Sequence, residues 1–396
     1  MGDTLPGTTI LDPVAYSSLG DVTISSGAWI FYTTNSLSNP YISNGTTTYN
    51  GVWDTNNGVK QAIFRFDNLT LSGTSTFSFD RTPVTDSDCG LALLATGTIT
   101  IDRVLDLSGT AASGGPGAEG GVRNTSYSSN PPGSTRGDGG LANQSGGAAG
   151  NGIGYGGGGQ YSSGGGGGYG GAGGNGAGQG NGAGQAVGYG GGGSAYGDAT
   201  GFAAYGFDTF GLYGGSGGGG GSRGGGQGRA GGGGGGSLEI VALTAIVLED
   251  GAQLLVNGGA GGDGGRQTGG GGSGGAILLA TGGSITLDPL AKVEAKGGRG
   301  GNTVNDASSS GGGGGGGGLI AFYSTDIYGS TPTGVSLAGG AGGLFNGITT
   351  PDRRHGLPGA NGQFYDGAAV VIPEPGTISL LLGGLAILGL AWKRRK

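Results

Sequence analysis

Few residues in this chain are equipped for chemistry. Among 396 residues there is one cysteine, Cys89, and one histidine, His355. An intrachain disulfide needs two cysteines, a Cys/His zinc site needs several such ligands, and a Ser-His-Asp site would have a single histidine to draw on. Cys89 therefore reads as a small buried apolar residue. His355, in the polar stretch 351–356, reads as a solvated loop residue. Carboxylates are more numerous, and polysaccharide cleavage on stacked β-strands uses paired acids that face one another. Asp102, Asp106, Glu239, Glu249, Asp250, Asp288 and Glu294 stand at different phases of their sequence units, mostly at turns. Asp250 and Asp288 come closest to matching phase. The expectation is no catalytic residue and no enzyme, with a polysaccharide-active enzyme as the weakest reading and those two aspartates as its candidates.

Binding motifs fare no better. G-x-G-x-x-G recurs by chance in so glycine-rich a chain, never between a strand and a helix, and no G-K-[ST] is present. Gly258-Gly-Ala-Gly-Gly-Asp263 fits the start of the calcium-binding nonapeptide, but Gly265 stands where an apolar residue belongs, so no metal is expected. Arg136-Gly137-Asp138 is a chance match. Nothing calls for a cofactor. A net charge of −7 with scattered cations argues against nucleic acid as a partner.

The 111 glycines have no side chain to bury, so the length available for an ordinary core is much shorter than the chain. What remains reads as strand. In an N-terminal β region, residues 1–88, the stretches 22–24, 28–32, 62–66, 69–71 and 76–79 are β-branched or aromatic. Turn residues such as Asn44-Gly45 and Ser72-Gly73 separate them. Over 89–345 one unit appears four times: 91–101 with 104–107, then 238–243, 245–248 and 252–256, then 276–280, 284–287 and 291–295, and more loosely 319–323, 327–328 and 335–337. Three short strands and a glycine loop recur each time. Glu249-Asp250-Gly251 and Asp288-Pro289 offer the acceptor, the positive φ and the fixed φ that tight corners need. An all-β, right-handed parallel β-solenoid (β-helix) follows, each unit one coil with apolar residues inside. An antiparallel β-sandwich is the alternative. Thr98, Thr100 and Thr286 are too few to form an ice-binding array.

The first glycine loop is a long insertion at about 109–236. The alternation in 175–186 suits silk-like strands, the Gly-Gly-X run in 170–175 suits three-fold extended helices packed side by side, and flexible coil is the default. Tyr155, Tyr161, Tyr169, Tyr189, Tyr196, Tyr205, Phe207, Phe210 and Tyr213 punctuate it. They anchor loop segments to the flank of the coils or, in the alternative, stack on sugar rings and make the protein a carbohydrate-binding adhesin. Residues 346–370 read as a linker.

The tail, residues 371–396, has three parts in fixed order: Pro373-Glu374-Pro375, an apolar run, and the cations Lys393, Arg394, Arg395 and Lys396. About 16 apolar residues make about 24 Å of helix, nearly a transmembrane span of about 30 Å. Terminal cations favour a cytoplasmic C-terminus with the rest of the chain outside. This order resembles the PEP-CTERM sorting signal of exported bacterial proteins. The resemblance implies a membrane-anchored precursor, processing by the membrane protease exosortase, and a final place at the cell surface, envelope or extracellular matrix. Residues 1–6 show no basic start or apolar run of a signal peptide, so export implies an upstream segment, a different start or another route. The strand-and-glycine repeat looks like the glycine-rich β-helical surface proteins of bacteria. The expected function is a structural protein of the surface or matrix, with extracellular polysaccharide as a possible partner.

Overall fold

A computed structural model describes residues 10–34, 37–56, 59–80, 89–110, 229–264, 267–303, 309–324, 326–328, 334–345 and 354–368, together with 163–177, 214–221 and a few shorter stretches of the insertion. The described chain is all-β apart from one 3-10 turn, Pro13–Ala15. The tail lies outside the described residues, and with it the expected transmembrane helix.

The N-terminal part contributes β1 (Val22–Ile24), β2 (Ala28–Tyr32), β3 (Tyr41–Ser43), β4 (Thr48–Asn50), β5 (Val52–Asn56), β6 (Val59–Phe66), β7 (Leu69–Leu71) and β8 (Thr76–Phe79). Four triplets follow. They are β9 (Gly90–Ala95), β10 (Thr98–Ile101) and β11 (Val104–Asp106), then β12 (Ser237–Ala242), β13 (Ala245–Leu248) and β14 (Gln253–Leu255). The third is β15 (Ala276–Thr281), β16 (Ser284–Leu287) and β17 (Lys292–Glu294), and the fourth β18 (Leu319–Ser324), β19 (Asp326–Tyr328) and β20 (Val335–Ser336). The last described strand is β21 (Gln363–Ala368).

Corresponding strands of successive triplets pair in parallel. The first strands form a seven-stranded sheet ordered β21-β18-β15-β12-β9-β6-β5, antiparallel only where β5 meets β6. The second strands continue β1 and β7 into a six-stranded parallel sheet, β1-β7-β10-β13-β16-β19. The third strands make β11-β14-β17-β20. A small sheet, β4-β3-β2-β8, stands at the N-terminal end, with β8 beside β11. No described sheet closes on itself. Parallel pairing of all four triplets is the opposite of what an antiparallel sandwich requires. β6 and β7, from residues 1–88, pair with β9 and β10, and β21 lies within residues 346–370.

The registers explain the core. Phe64, Leu93, Ile240, Leu279 and Phe322 are direct partners from β6 to β18, and all are fully buried. On the six-stranded sheet Ile99, Ile246 and Ile285 form a second file, and Leu105, Leu254 and Val293 a third. β10, β13 and β16 alternate inward and outward, as strands with one wet face do, whereas β9, β12, β15 and β18 are buried on both faces and are nearly continuously apolar. Because these files are tightly stacked, Ile246→Val is expected to cost about 1 kcal/mol, read as a shift of the thermal midpoint.

Glycine forms the other half of the structure. From 269 to 275 successive amides cycle among three neighbours: Gly269, Gly272 and Gly275 donate to Gly262, Gly259 and Val256, Gly270 and Ser273 to Gly219 and Ser216, and Gly271 and Gly274 to Gly313 and Gly316. A three-residue cycle is the signature of three-fold extended helices packed side by side. Residues 170–175 belong to the same bundle, because Gly171, Gly174 and Ala177 donate to Gly317, Gly314 and Gly311. The described parts of the insertion are thus hydrogen-bonded into this bundle, and the default of flexible coil is replaced there by order. The outermost helices place a side chain at every third residue, Asn257, Ala260 and Asp263 in one and Lys296, Arg299 and Asn302 in the next, all at least partly exposed. Inside, neighbouring backbones leave no room for a Cβ.

Candidate functional site

The structure re-registers the corner acids. Asp102, Glu249 and Asp288 each follow the last residue of their strand, and their amides donate to Leu71, Ile101 and Leu248 of the preceding strand. The phase partner of Asp288 is therefore Glu249, and Asp250 stands one residue beyond it. The carbonyls of Glu249 and Asp288 accept from Ala252 and Ala291, and Asp288 Oδ1 also accepts from Leu290 N at 2.8 Å. These acids shape turns. Asp102 pairs with Arg103 at 2.7 Å. Gly251 was expected to supply a positive φ, but it is not among the left-handed glycines, and its missing side chain instead makes room for the Asp102 carboxylate. At the next corner Asp106 Oδ1 accepts from Ser108 N, while Glu294 binds Lys296 at 2.6 Å.

Asp263, the calcium candidate, is occupied by Arg299 and by the amide of Asn302. Its bond to the guanidinium holds the carboxyl below the usual range. Among the described residues no group of three or more His, Cys, Asp or Glu could hold a metal ion. Cys89 is buried, as expected of an inert thiol. His355 departs from a fully solvated loop residue: it is half-buried, and its Nε2 is buried without a hydrogen-bond partner.

Of the insertion's aromatics, Tyr169 is described, and it is buried on the outer face of the seven-stranded sheet beside Leu278, Leu319 and Tyr323. That is the anchoring role. The insertion's other aromatics, and Arg136-Gly137-Asp138, lie outside the described residues. The threonine count also changes, since Thr23 and Thr70 stand in register with Thr100, Val247 and Thr286. Sequence reading missed this file because its first two members belong to the N-terminal region.

Glu239 is the residue whose position the sequence hid most completely. It points outward from β12 into an apolar cluster and is 2% exposed. Its carboxyl accepts from Leu11 N and from Gln61 Nε2, both at 3.0 Å. Burial raises its pKa to about 7 against the pull of those two hydrogen bonds. Leu11 belongs to a strap, residues 10–20, that crosses the sheet. Further along it Leu19 N donates to Arg65 O at 2.8 Å, and Arg65 Nε donates to Pro13 O at 3.1 Å. Tyr16 Oη donates to Asp54, and burial followed by that carboxylate raises the phenol above its ordinary 10.

Residues 371–396 match the PEP-CTERM protein-sorting motif. No curated protein and no solved structure matches the chain. The motif covers the tail only, and it carries a specific implication: sorting to the surface through exosortase, from an exported precursor anchored in the membrane. Pro373, Glu374, Pro375, Lys393, Arg394, Arg395 and Lys396 all fall within the match. Among the described residues no helix is long and apolar enough to cross a membrane.

Proposed function

We propose that this protein is a structural component of the cell surface or extracellular matrix, whose body is a single β-solenoid and whose tail is an address removed by exosortase. The observation that carries the first half is the repeated visit of each triplet to the same three parallel sheets in the same order, with registers unbroken from β9 to β17. Such stacking buries what no single coil could bury and yields an extended, rigid element. The glycine bundle runs beside these coils and braces them through backbone hydrogen bonds. The acids at the corners serve turns and ion pairs, which supports a structural role for the coils.

Intact-mass measurement of the protein recovered from the cell surface tests the processing step. The expected mature chain ends near Pro375, having lost the apolar run and the four cations. An intact Lys396 on surface material would contradict it. For the structural role, incubation with a panel of extracellular polysaccharides is expected to give no turnover, and specific retention on one of them would replace the scaffold reading with an adhesive one.

A further inference from the structure

We propose that Glu239 is a pH-sensitive latch: its protonated carboxyl clasps the leading end of the N-terminal strap, residues 10–12, to the outer face of the seven-stranded sheet, and its ionisation loosens that end. Glu239 interrupts a file that is otherwise apolar, Ile63, Ala92, Glu239, Leu278 and Ala321. A carboxylate gains nothing from such neighbours, and neither of its partners, the Leu11 amide and the Gln61 side-chain amide, is a cation.

The charged and titratable groups around it do not compensate. From the strap come Asp12 and Tyr16, and from β5 comes Asp54, which binds Tyr16. From β6 comes Arg65, whose guanidinium is committed to Asp67, Pro13 O and Thr96. On the same face further along lie Tyr169, Tyr323 and Tyr365. The cluster is also short of donors: Gln61 Oε1 is buried with no partner. A protonated Glu239 brings an O–H into a pocket with an unfilled acceptor, whereas the ionised form brings a buried charge.

The strap is not held evenly. Residues 13–20 are tied by Arg65 Nε to Pro13 O, Leu19 N to Arg65 O, Asp67 N to Gly20 O and Tyr16 to Asp54. Leu11, 6% exposed in the cluster with Ile63, Ala92 and Leu94, has Glu239 as its polar tie. Closing the latch takes up a proton wherever the closed carboxyl, at about 7, holds it and the open one, at its ordinary 4.5, does not. The latch is therefore tightest below about pH 4.5, weakens as pH rises to about 7, and levels off beyond.

Hydrogen exchange of the full chain in detergent micelles tests this, with rates corrected for the intrinsic pH dependence. Protection of the Leu11 amide is expected to fall by up to about tenfold per pH unit inside that window, while amides of β15 stay protected throughout. In Glu239→Gln the Leu11 profile is expected to be flat. A flat profile in the unaltered protein, or an unchanged slope in Glu239→Gln, would overturn the latch. The unaltered protein's profile decides by itself should the variant not fold.

Discussion

Gly272→Ala is expected to lower the thermal midpoint by about 6–12 °C, from a destabilisation of about 3 kcal/mol. A single methyl has this effect because Gly272 lies at the centre of the glycine bundle. Its amide donates to Gly259 O at 2.9 Å, Gly271 and Ser273 bind two other neighbours, and an added Cβ would be driven into Gly233 O. A backbone oxygen cannot rotate away as a side chain can, so whole helices must separate and their shared hydrogen bonds lengthen. Two controls isolate the cause. Ala260→Ser, on the outward side of a bundle helix, is expected to stay within about 0.5 kcal/mol. Gly45→Ala has open space around its Cβ but φ +84°, and is expected to cost only the left-handed backbone strain, about 1–2 kcal/mol. Melting followed by circular dichroism separates the three. Equal midpoints for Gly272→Ala and Ala260→Ser would mean that the bundle does not contribute to stability.

A chain lacking residues 373–396 is expected to lose membrane attachment altogether and to leave the cell envelope as soluble protein. The largely apolar stretch of about 16 residues, 377–392, followed by four cations can hold a precursor at a bilayer, and removal of the cations alone weakens the stop and the orientation. Glu374→Ala is expected to act differently. It leaves the span intact, so an uncleaved, membrane-bound precursor should accumulate. Fractionation followed by mass analysis of the C-terminus distinguishes the two outcomes. Wild-type surface retention of the truncated chain would remove the tail from any account of sorting. The two experiments probe separate parts of the chain, since the last described strand ends at Ala368, before Pro373.

Much of the architecture is legible in the sequence. Period-two alternation in Thr98–Ile101 and Ser284–Leu287, and continuous apolar runs in Leu319–Ser324 and its counterparts, identify strands with one or both faces buried. Repetition of the triplet announces stacking. The glycine stretches were half legible: residues 257–264 and 296–302 carry a side chain every third position, a period that three-fold helices require and that flexible coil does not. Pure glycine at 311–318 carries no period at all, because every residue there is the same.

The corner acids show why phase counting falls short. Asp250 and Asp288 look equivalent when counted from the glycine loops, yet the hydrogen-bond ladder sets Glu249 beside Asp288, since register is decided by strand pairing and not by turn length. Glu239 shows the same limit more sharply. Its neighbours in sequence, Leu238 and Ile240, mark it as the outward residue of a strand, and outward normally means wet.

By itself the sequence determined the strands, the repeat and the address at the C-terminus, because each is written in local periodicity or in a contiguous motif. Tertiary structure alone decided which faces are dry. A strap from residues 10–20 and Tyr169 of the insertion come from far along the chain to cover the outer face of the seven-stranded sheet. That covering turns Glu239 from a solvated surface acid into a buried carboxyl that keeps its proton to about pH 7, because desolvation depends on what lies overhead and not on the residues alongside.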